Sequence, residues 1–343
     1  MKNHLFANSS GDLNLVAIGG GNGLSTLLSG LKRFVGAGDS EAFRLRNLSA
    51  IVAVSDDGGS SGRLRDELQM LPPGDIRNCM VALSEDSHLL SRLFRHRFGG
   101  DGDLGGHSFG NLFLAALTEI TGDFAEAVKL SSEILASKGH IYPATMADVR
   151  LAAELFDGSV TRGETQIAKV GSRIRRLRLE PENFRPMSET LAAIGEADVI
   201  TIGLGSLYTS LLPPILVEGV ARAIAASFAV KIFICNLMTQ PGETDGLSSR
   251  KHLEIVRAHA PEIDFDYVVV NNSPISAEQL RRYAVEGAEQ IGVHGSITPE
   301  TIEGAKVIYG NLLDEGEKVR HHPEKLARTV LLCADRSRRK VTA

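Results

Sequence analysis

The sequence predicts an α/β fold: a doubly wound, mostly parallel, Rossmann-like sheet in three layers, with a small antiparallel β insertion. Two observations carry this prediction. Short apolar runs end in loops of glycine, aspartate or asparagine, and apolar residues at helical spacing follow several of them. This alternation stops near residue 139 and returns near residue 198. At 343 residues, 43% of them hydrophobic, the chain can bury a core of the required size.

Two apolar runs, residues 13–18 and 48–54, predict the first strands of the sheet. The first run ends at glycines, and leucines then recur at helical spacing, so these glycines form a turn between a strand and a helix. Helical patterns dominate residues 75–137, where Asp123 is predicted to cap a helix.

The middle of the chain consists of short alternating segments separated by glycines and charged turns, which predict the antiparallel insertion. Apolar runs at residues 199–202, 230–235 and 265–270 then complete the sheet. The predicted organisation is a first α/β half over residues 1–138, the insertion over 139–190, and a second α/β half over 191–343.

Composition argues against several classes of protein. A net charge of −5 gives no global field that would attract nucleic acid or an anionic membrane. The three cysteines lie far apart without a CxxC motif, so we expect no disulfide framework and a reducing, cytoplasmic compartment. The uncharged stretch 199–217 contains glycines and a Pro-Pro pair that would leave backbone groups unpaired in lipid, so we predict no membrane span.

The first candidate ligand loop is the glycine run that follows the first strand. In doubly wound sheets, ligands bind beyond the carboxyl ends of the strands. Glycines let the backbone approach a phosphate, and the next helix N-terminus offers N–H groups. The loop lacks the Lys-Ser/Thr of a Walker A motif and fits GxGxxG poorly, and tight packing of strand on helix is the alternative role. Its candidate ligand-binding residues are Gly19, Gly20, Gly21, Asn22 and Gly23.

The second candidate loop covers residues 55–65. Asp56 and Asp57 repel each other, so a cation, a sugar hydroxyl or a strong donor is expected near at least one of them, and Asp57 is a candidate Mg²⁺ ligand. Both are the candidate catalytic residues if the protein is a transferase. A solvated loop is the alternative. The other candidate ligand-binding residues are Gly58, Gly59, Ser60, Ser61 and Arg63.

A third segment, LPPGDIRN at residues 71–78, predicts a rigid turn into a helix capped by Asp75. Asp75, Arg77 and Asn78 are candidate ligand contacts, although a turn with a cap would explain the same residues.

The fourth loop, GHSFGN at residues 106–111, contains the pattern GxSxG and raises a serine hydrolase with Ser108 as an alternative function. A nucleophile elbow needs an apolar strand directly before the serine, whereas glycines and aspartates precede it here. We therefore favour a loop that opens a helix, with His107 and Asn111 as candidate ligand contacts and a capping role as the alternative for His107.

Two further loops follow later strands. GLGSLYTSLLPP begins at residue 203 and repeats the logic of the first glycine loop, so that the two loops together predict a diphosphate clamp. NLMTQPGETDG begins at residue 236 and offers donors and acceptors suited to a base edge or sugar hydroxyls, or it is a long surface loop. The candidate ligand-binding residues are Gly203, Gly205, Ser206, Tyr208, Thr209, Asn236, Thr239, Gln240, Glu243 and Thr244.

The motifs GGGNGLSTLL, VSDDGGSSGRLR, LPPGDIRN, GHSFGN, ITGDF, GSLYTSLLP and CNLMTQPGETDG occur in an order that resembles the CofD/YvcK-like family, across residues 15–246. The resemblance implies that residues 19–23 and 203–209 lie near a nucleotide diphosphate, and that Asp56, Asp57 and Asn236 face the base, sugar or acceptor. Asn22 and Leu204 depart from the Thr and Pro that are usual in YvcK-like sequences.

The resemblance implies a cytoplasmic UDP-sugar-binding protein that regulates carbon metabolism, cell-wall synthesis or cell shape. The alternative is a CofD-like transferase that moves a phospholactyl-type group from a nucleoside-diphosphate donor to an acceptor with Mg²⁺. A homodimer is left open. Zinc or iron centres are not expected, because no HxH or HExxH motif occurs.

Overall fold

The computed structural model describes residues 12–36, 43–85, 88–170, 174–182, 184–292 and 299–341. Its main sheet has eight strands in the order β10-β11-β9-β8-β7-β1-β2-β3, and β5-β4-β6 form a separate three-stranded sheet. The strands are β1 (Leu13–Gly19), β2 (Leu45–Val52), β3 (His140–Pro143), β4 (Arg150–Leu155), β5 (Val160–Arg162), β6 (Ile174–Glu180), β7 (Val199–Ile202), β8 (Val230–Ile234), β9 (Tyr267–Asn271), β10 (Thr301–Ile302) and β11 (Ala305–Gly310).

Neighbouring strands of the main sheet are parallel, except for the β10–β11 pair. The chain builds from β1 outward through β2 to β3, and then returns to the other side of β1 with β7, β8 and β9. The strand order therefore reverses between β1 and β7, and this switch point is where doubly wound sheets bind ligands. The predicted α/β fold with a small antiparallel sheet is confirmed.

Helices flank the main sheet. They are α1 (Gly21–Leu31), α2 (Gly59–Leu68), α3 (Gly74–Leu83), α4 (His88–Arg95), α5 (Phe109–Thr121), α6 (Phe124–Ile134), α7 (Glu164–Ile167), α8 (Ser188–Gly195), α9 (Leu212–Leu216), α10 (Val220–Ala226), α11 (Ser249–His259), α12 (Ala277–Val285) and α13 (Pro323–Val341).

Two helix starts test the predicted caps. Asp123 caps α6, because its side chain accepts a hydrogen bond from the Glu126 N–H. The predicted cap by Asp75 is wrong. Helix α3 already begins at Gly74, with Pro73 at the capping position, so Asp75 lies inside the first turn and its carboxylate is free to face another element.

The antiparallel sheet covers residues 150–180, a shorter span than the predicted insertion. Residues 140–143, placed in the insertion by their alternating pattern, instead form β3, which pairs in parallel with β2 at the edge of the main sheet. An edge strand exposes one side, so it alternates like a strand of a small antiparallel sheet.

The central strands are apolar along almost their whole length because helices cover both faces of the sheet, and β1, β7 and β9 are buried accordingly. Among the described residues, no single helix is long and apolar enough to cross a membrane. The helical segments Leu207–Leu216 and Val220–Ala226 are long and apolar enough only when they are taken together, and they are bent by 75° relative to each other.

Candidate functional site

A cavity of about 440 Å³ opens at the carboxyl ends of β2, β1, β7 and β8, across the switch point of the sheet. This volume lies in the range of small-molecule sites, roughly 300–1,000 Å³. Its lining residues come from seven separate segments: Gly21, Asn22, Gly23 and Thr26; Asp56; Asp75; Glu164; Leu204, Gly205, Ser206 and Ser210; Asn236, Leu237, Met238 and Gln240; and Val319, Arg320 and His321.

The structure brings together part of the predicted site. The predicted residues that line this cavity are Gly21, Asn22, Gly23, Asp56, Asp75, Gly205, Ser206, Asn236 and Gln240. The remaining candidates are outside the cavity lining, and several of them hold the surrounding loops in place.

The two glycine loops touch each other because β1 and β7 are neighbours. A Cβ atom at Gly23 would lie 2.6 Å from the Leu204 Cβ and 2.8 Å from the Gly205 nitrogen. A Cβ atom at Gly19 would lie 2.9 Å from the Leu204 carbonyl oxygen, and Gly203 approaches β8 in the same way. Tight packing therefore explains Gly19, Gly23 and Gly203, whereas the backbone at Gly21 faces the cavity.

Asp75 reaches across from α3 to the start of α1. Its carboxylate accepts a hydrogen bond from the Gly21 N–H, and a Cβ atom at Gly20 would lie 2.5 Å from its Oδ2. Gly20 therefore lets the carboxylate approach the helix N-terminus. Burial, together with the nearby Asp56 carboxylate, raises the pKa of Asp75 to about 6.

The two adjacent aspartates face different directions. Asp56 lines the cavity, and its Oδ1 accepts a hydrogen bond of 2.8 Å from the Gly58 N–H. Asp57 turns to the insertion, where its Oδ1 accepts hydrogen bonds from the Thr165 N–H at 2.9 Å and the Thr165 hydroxyl at 2.7 Å. The two aspartates therefore have different roles: Asp56 faces the cavity, and the Asp57 carboxylate is hydrogen-bonded to Thr165 of α7.

Glu164, the residue before Thr165, is brought to the cavity by this contact between Asp57 and α7. It begins α7, lines the cavity and accepts a hydrogen bond from the Thr209 side chain. Burial, reinforced by the charges of Asp56, Asp75 and Asp57, raises the pKa of Glu164 to about 9. Sequence reasoning missed Glu164, because nothing in a short polar turn of the insertion indicates that it packs against strand ends far away in the chain.

Several predicted contacts form a buried polar network behind Asp56. The Ser60 hydroxyl lies 3.0 Å from His107 Nδ1 and accepts a hydrogen bond of 3.0 Å from the Asn111 side chain. Ser61 packs on Gly74, where a Cβ atom would lie 2.4 Å from its Oγ. The network joins α2 to α5 and α3, so these side chains position the aspartate loop instead of lining the cavity.

Arginines fasten the same region. Arg63 donates to the Gly105 carbonyl at 2.8 Å and to the Asp103 carbonyl at 2.6 Å. Arg77 donates to Ser108 Oγ at 2.5 Å and to Asn78 Oδ1 at 2.6 Å. Neither Arg63 nor Arg77 is among the residues that line the cavity.

The serine hydrolase alternative is wrong. Ser108 is fully buried and is the N-cap of α5, with its Oγ accepting a hydrogen bond from the Asn111 N–H. The residue beside it, His107, contacts Ser60 instead, so Ser108 lacks the adjacent base that a nucleophilic serine requires. The cap on α5 is therefore Ser108, and His107 is not the capping residue.

The loop after β8 braces the second glycine loop. Buried Glu243 accepts a hydrogen bond of 2.8 Å from the Tyr208 N–H, and Gln240 donates to Ser206 Oγ at 2.7 Å. Thr244 accepts from the Gln240 N–H and Thr239 from the Glu289 N–H, each at 2.8 Å.

Some of the predicted residues in the loops after β7 and β8 hold these loops together and do not line the cavity. Glu243 also accepts from the Thr209 backbone, so the N–H groups of Tyr208 and Thr209 are already occupied, and burial raises the pKa of Tyr208 to about 12. Tyr208, Thr209, Thr239, Glu243 and Thr244 are outside the cavity lining, which leaves Gly205, Ser206, Asn236 and Gln240 facing the cavity.

The C-terminal part of the chain supplies one wall. Val319, Arg320 and His321 line the cavity just before α13 begins. The imidazole of His321 is 7% exposed, its Nε2 is buried without a hydrogen-bond partner, and burial lowers its pKa to about 3. The motif order ends near residue 246, so no sequence signal pointed to this segment.

Within the ranges that the structure describes, no group of three or more His, Cys, Asp or Glu side chains is arranged to hold a metal ion. Asp57, the candidate Mg²⁺ ligand from the sequence, is the residue turned to Thr165.

Comparison with known proteins places this geometry in context. The family model of the 2-phospho-L-lactate transferase CofD matches residues 15–313. A putative gluconeogenesis factor of Nostoc sp. PCC 7120 is 47% identical over 320 residues, which cover 92% of this chain and 68% of the relative. The gluconeogenesis factor of Bacillus subtilis strain 168 is 43% identical over 314 residues, which cover 91% and 95%.

A solved structure has the same fold. The crystal structure of protein BH3568 from Bacillus halodurans, a member of the UPF0052 family, is similar with a TM-score of 0.85 and 43% sequence identity. The match covers 94% of this chain and 100% of that one.

Proposed function

Because the chain belongs to the CofD family and is similar over most of its length to gluconeogenesis factors, we propose that it is a nucleotide-sugar-binding protein that regulates carbon metabolism. The proposed ligand is a UDP-sugar, bound without turnover.

The observation that carries this proposal is the position of the cavity relative to the two glycine loops. The first turn of α1 and the loop at Gly205 and Ser206 border the same space at the switch point. A helix N-terminus carries N–H groups without intrahelical partners and a partial positive charge, which suit a phosphate group. The proposed diphosphate therefore lies between Gly21 and Ser206.

The remaining cavity offers groups for the base and the sugar. Asn236 and Gln240 line the cavity beside the proposed diphosphate, where their amides also hold the second glycine loop through hydrogen bonds to the Gly205 carbonyl and Ser206 Oγ, and Arg320 lines the same cavity. Amide groups recognise the edge of a base or sugar hydroxyls through paired hydrogen bonds.

Binding is tested with UDP-N-acetylglucosamine, measured by thermal shift and isothermal titration calorimetry, with the nucleotide checked by mass spectrometry after long incubation. We expect a raised melting temperature and intact ligand. Absence of a shift with any UDP-sugar would contradict the proposed function.

A substitution in the first glycine loop tests the placement of the phosphates. Asn22→Asp adds a negative charge in the first turn of α1, which stabilises a helix but repels a phosphate. We expect the melting temperature to be kept and the affinity to fall at least about tenfold, about 1.4 kcal/mol. Asn22→Thr, which is neutral, is the matched control and should bind like the natural chain. Equal affinities of Asn22→Asp and Asn22→Thr would place the phosphates elsewhere.

The second candidate function is a CofD-like transferase, favoured by the family match and by the carboxylate of Asp56 in the cavity. An acceptor hydroxyl would form a bond to the donor's phosphorus, and a nucleoside monophosphate would leave. Magnesium would accompany the donor's phosphate groups. Release of a nucleoside monophosphate, abolished in Asp56→Asn, would establish this function in place of binding alone.

A further inference from the structure

Three carboxyl groups from three different elements surround the place proposed for the diphosphate. Asp56 follows β2, Asp75 belongs to the first turn of α3, and Glu164 begins α7 in the insertion. All three line the same cavity as the N-terminus of α1. An anion site with this many acids requires something that compensates their charge.

Asp75 already occupies the position that a phosphate oxygen would seek. Its carboxylate accepts the hydrogen bond of the Gly21 N–H, and the bare backbone at Gly20 lets Oδ2 come close to the loop. A dianionic diphosphate brought to this helix N-terminus would therefore meet a negative charge held against the same backbone.

The charged groups around these acids do not neutralise them. Asp75 faces Asp56 from the loop after β2, Glu164 from α7, Arg77 and Cys79 from its own helix, and the Gly21 N–H from α1. Arg77 directs its guanidinium to Ser108 and Asn78.

Glu164 faces Asp56, Asp57 and Asp75, and accepts from Thr209. His321 also lines the cavity, is kept neutral by burial, and has an unpartnered Nε2 on a side chain that is 93% buried. The cavity is thus lined by three acids, a neutral imidazole and the exposed Arg320.

We propose that Asp75 and Glu164 are specificity-determining residues, which admit a phosphate group beside α1 only as neutral carboxylic acids, so that ligand binding takes up protons. The proposal rests on the proposed function, since it concerns the same cavity. As neutral acids, the two side chains change from repelling a phosphate to donating hydrogen bonds to it.

The number of protons follows from the two environments. The pKa of Asp75 is raised to about 6 and that of Glu164 to about 9, in both cases first by burial. At pH 7.5, Asp75 is ionised and Glu164 is protonated, so binding takes up about one proton, at Asp75. Below the pKa of Asp75 this uptake vanishes, and above that of Glu164 a second proton is added.

Calorimetric titration with UDP-N-acetylglucosamine in two buffers of different ionisation enthalpy counts these protons. This probe has no phosphate ionisation near neutral pH, so up to pH 8.5 the count reports on the protein. At higher pH the uracil of the probe also ionises, which affects the natural chain and its variants equally, and the difference between them reports on the protein. We expect about one proton at pH 7.5, close to none at pH 5, and an affinity that falls roughly tenfold per pH unit between pH 7 and 8.5.

Three variants assign the protons to residues. In Asp75→Asn, whose amide oxygen still accepts from the Gly21 N–H, the uptake at pH 7.5 disappears and the affinity becomes nearly constant over that range. In Glu164→Gln, the additional uptake above pH 8.5 is lost. Asp66→Asn, at an exposed acid that pairs with Arg150 outside the cavity, is the control and keeps the natural count.

The proposal is overturned if UDP-N-acetylglucosamine binds at pH 7.5 without proton uptake, or if Mg²⁺ in the buffer restores tight binding while removing the uptake, because a cation would then compensate the acids. The natural chain's proton count decides the question even if Asp75→Asn does not fold. Absence of binding at every pH, with and without Mg²⁺, would refute the proposed function and with it this inference.

Discussion

At the scale of single residues, Gly23 shows how closely the two glycine loops are fitted. Its backbone lies against Leu204 and Gly205, where a Cβ atom would meet the Gly205 nitrogen at 2.8 Å. The neighbouring atoms belong to backbone and to a buried side chain, so they cannot move aside without displacing the second loop. One atom at this position therefore affects both halves of the proposed phosphate site.

We expect Gly23→Ala to destabilise the protein by about 1–3 kcal/mol, because it overpacks the contact between the loops, and to abolish nucleotide-sugar binding. Urea denaturation and calorimetric titration measure the two effects. Gly195→Ala is the matched control: it lies at the end of α8 with no atom within 4 Å of an added Cβ, and should stay within about 0.5 kcal/mol. Natural stability in Gly23→Ala would show that the loops are not in contact.

The first glycine loop, residues 19–23, contains glycines with different roles that the sequence does not distinguish. The glycine-rich context predicted that residues 19–23 form one ligand loop, and only some of them line the cavity. Gly19 and Gly23 have no room for a side chain because the second glycine loop lies against them, and Gly20 has none because the Asp75 carboxylate lies against it. A glycine that receives a ligand and a glycine that receives another loop look the same in a sequence.

At the scale of elements, the small antiparallel sheet is attached to the site through a buried arginine. Arg65 of α2 is 2% exposed and donates to Asp148 and to the Val149 carbonyl just before β4. Asp57, in the loop that precedes α2, accepts a hydrogen bond from the Thr165 N–H in α7. These contacts bring Glu164 into the cavity, so the insertion supplies a wall of the site.

We expect Arg65→Leu to lower the free energy of unfolding by about 3 kcal/mol, because hydrogen bonds of a charged donor are lost and a buried carbonyl is left unpaired. Chemical denaturation gives this value. Arg150→Leu removes an exposed ion pair with Asp66 at the same edge of the insertion, and should cost less than about 1 kcal/mol. Similar losses in both variants would mean that Arg65 does not anchor the insertion.

The elements were the part of the structure that the sequence predicted well. Residues 199–202 form β7 with the predicted bounds, and β1 differs by a single residue, because an apolar run between polar loops suffices to specify a buried parallel strand. Residues 140–143 were assigned to the wrong sheet, since alternation reveals a half-exposed strand without revealing its partner.

At the scale of the whole molecule, two buried ionisable groups that line the cavity give stability two opposing dependences on pH. Burial lowers the pKa of His321 to about 3, so between pH 3 and 6.5 this imidazole is protonated in the unfolded chain and neutral in the folded chain. Stability is lost there as the pH falls. Glu164 acts in the opposite sense: its raised pKa favours the folded chain at low pH, and that contribution is lost as the pH rises towards 9.

We therefore expect His321→Asn to gain stability relative to the natural chain on going from pH 7.5 to pH 5, and Glu164→Gln to gain it on going from pH 5 to pH 8.5. Denaturation at these pH values measures both trends. Parallel pH profiles of the natural chain and the His321 variant would show that the imidazole is accessible to protons in the folded protein.

The sequence by itself determined the fold class, the five central strands of the sheet, the family and most of the loops that border the cavity, because periodicity and glycine punctuation are local properties of the chain. Only the tertiary structure decided which side chains of those loops face the cavity. It turned Asp56 inward and Asp57 to Thr165, buried Ser108 as a cap, and brought Glu164 and His321 to the same cavity. Those choices depend on the order of strands and the docking of the insertion, which join residues more than 100 positions apart and leave no local pattern.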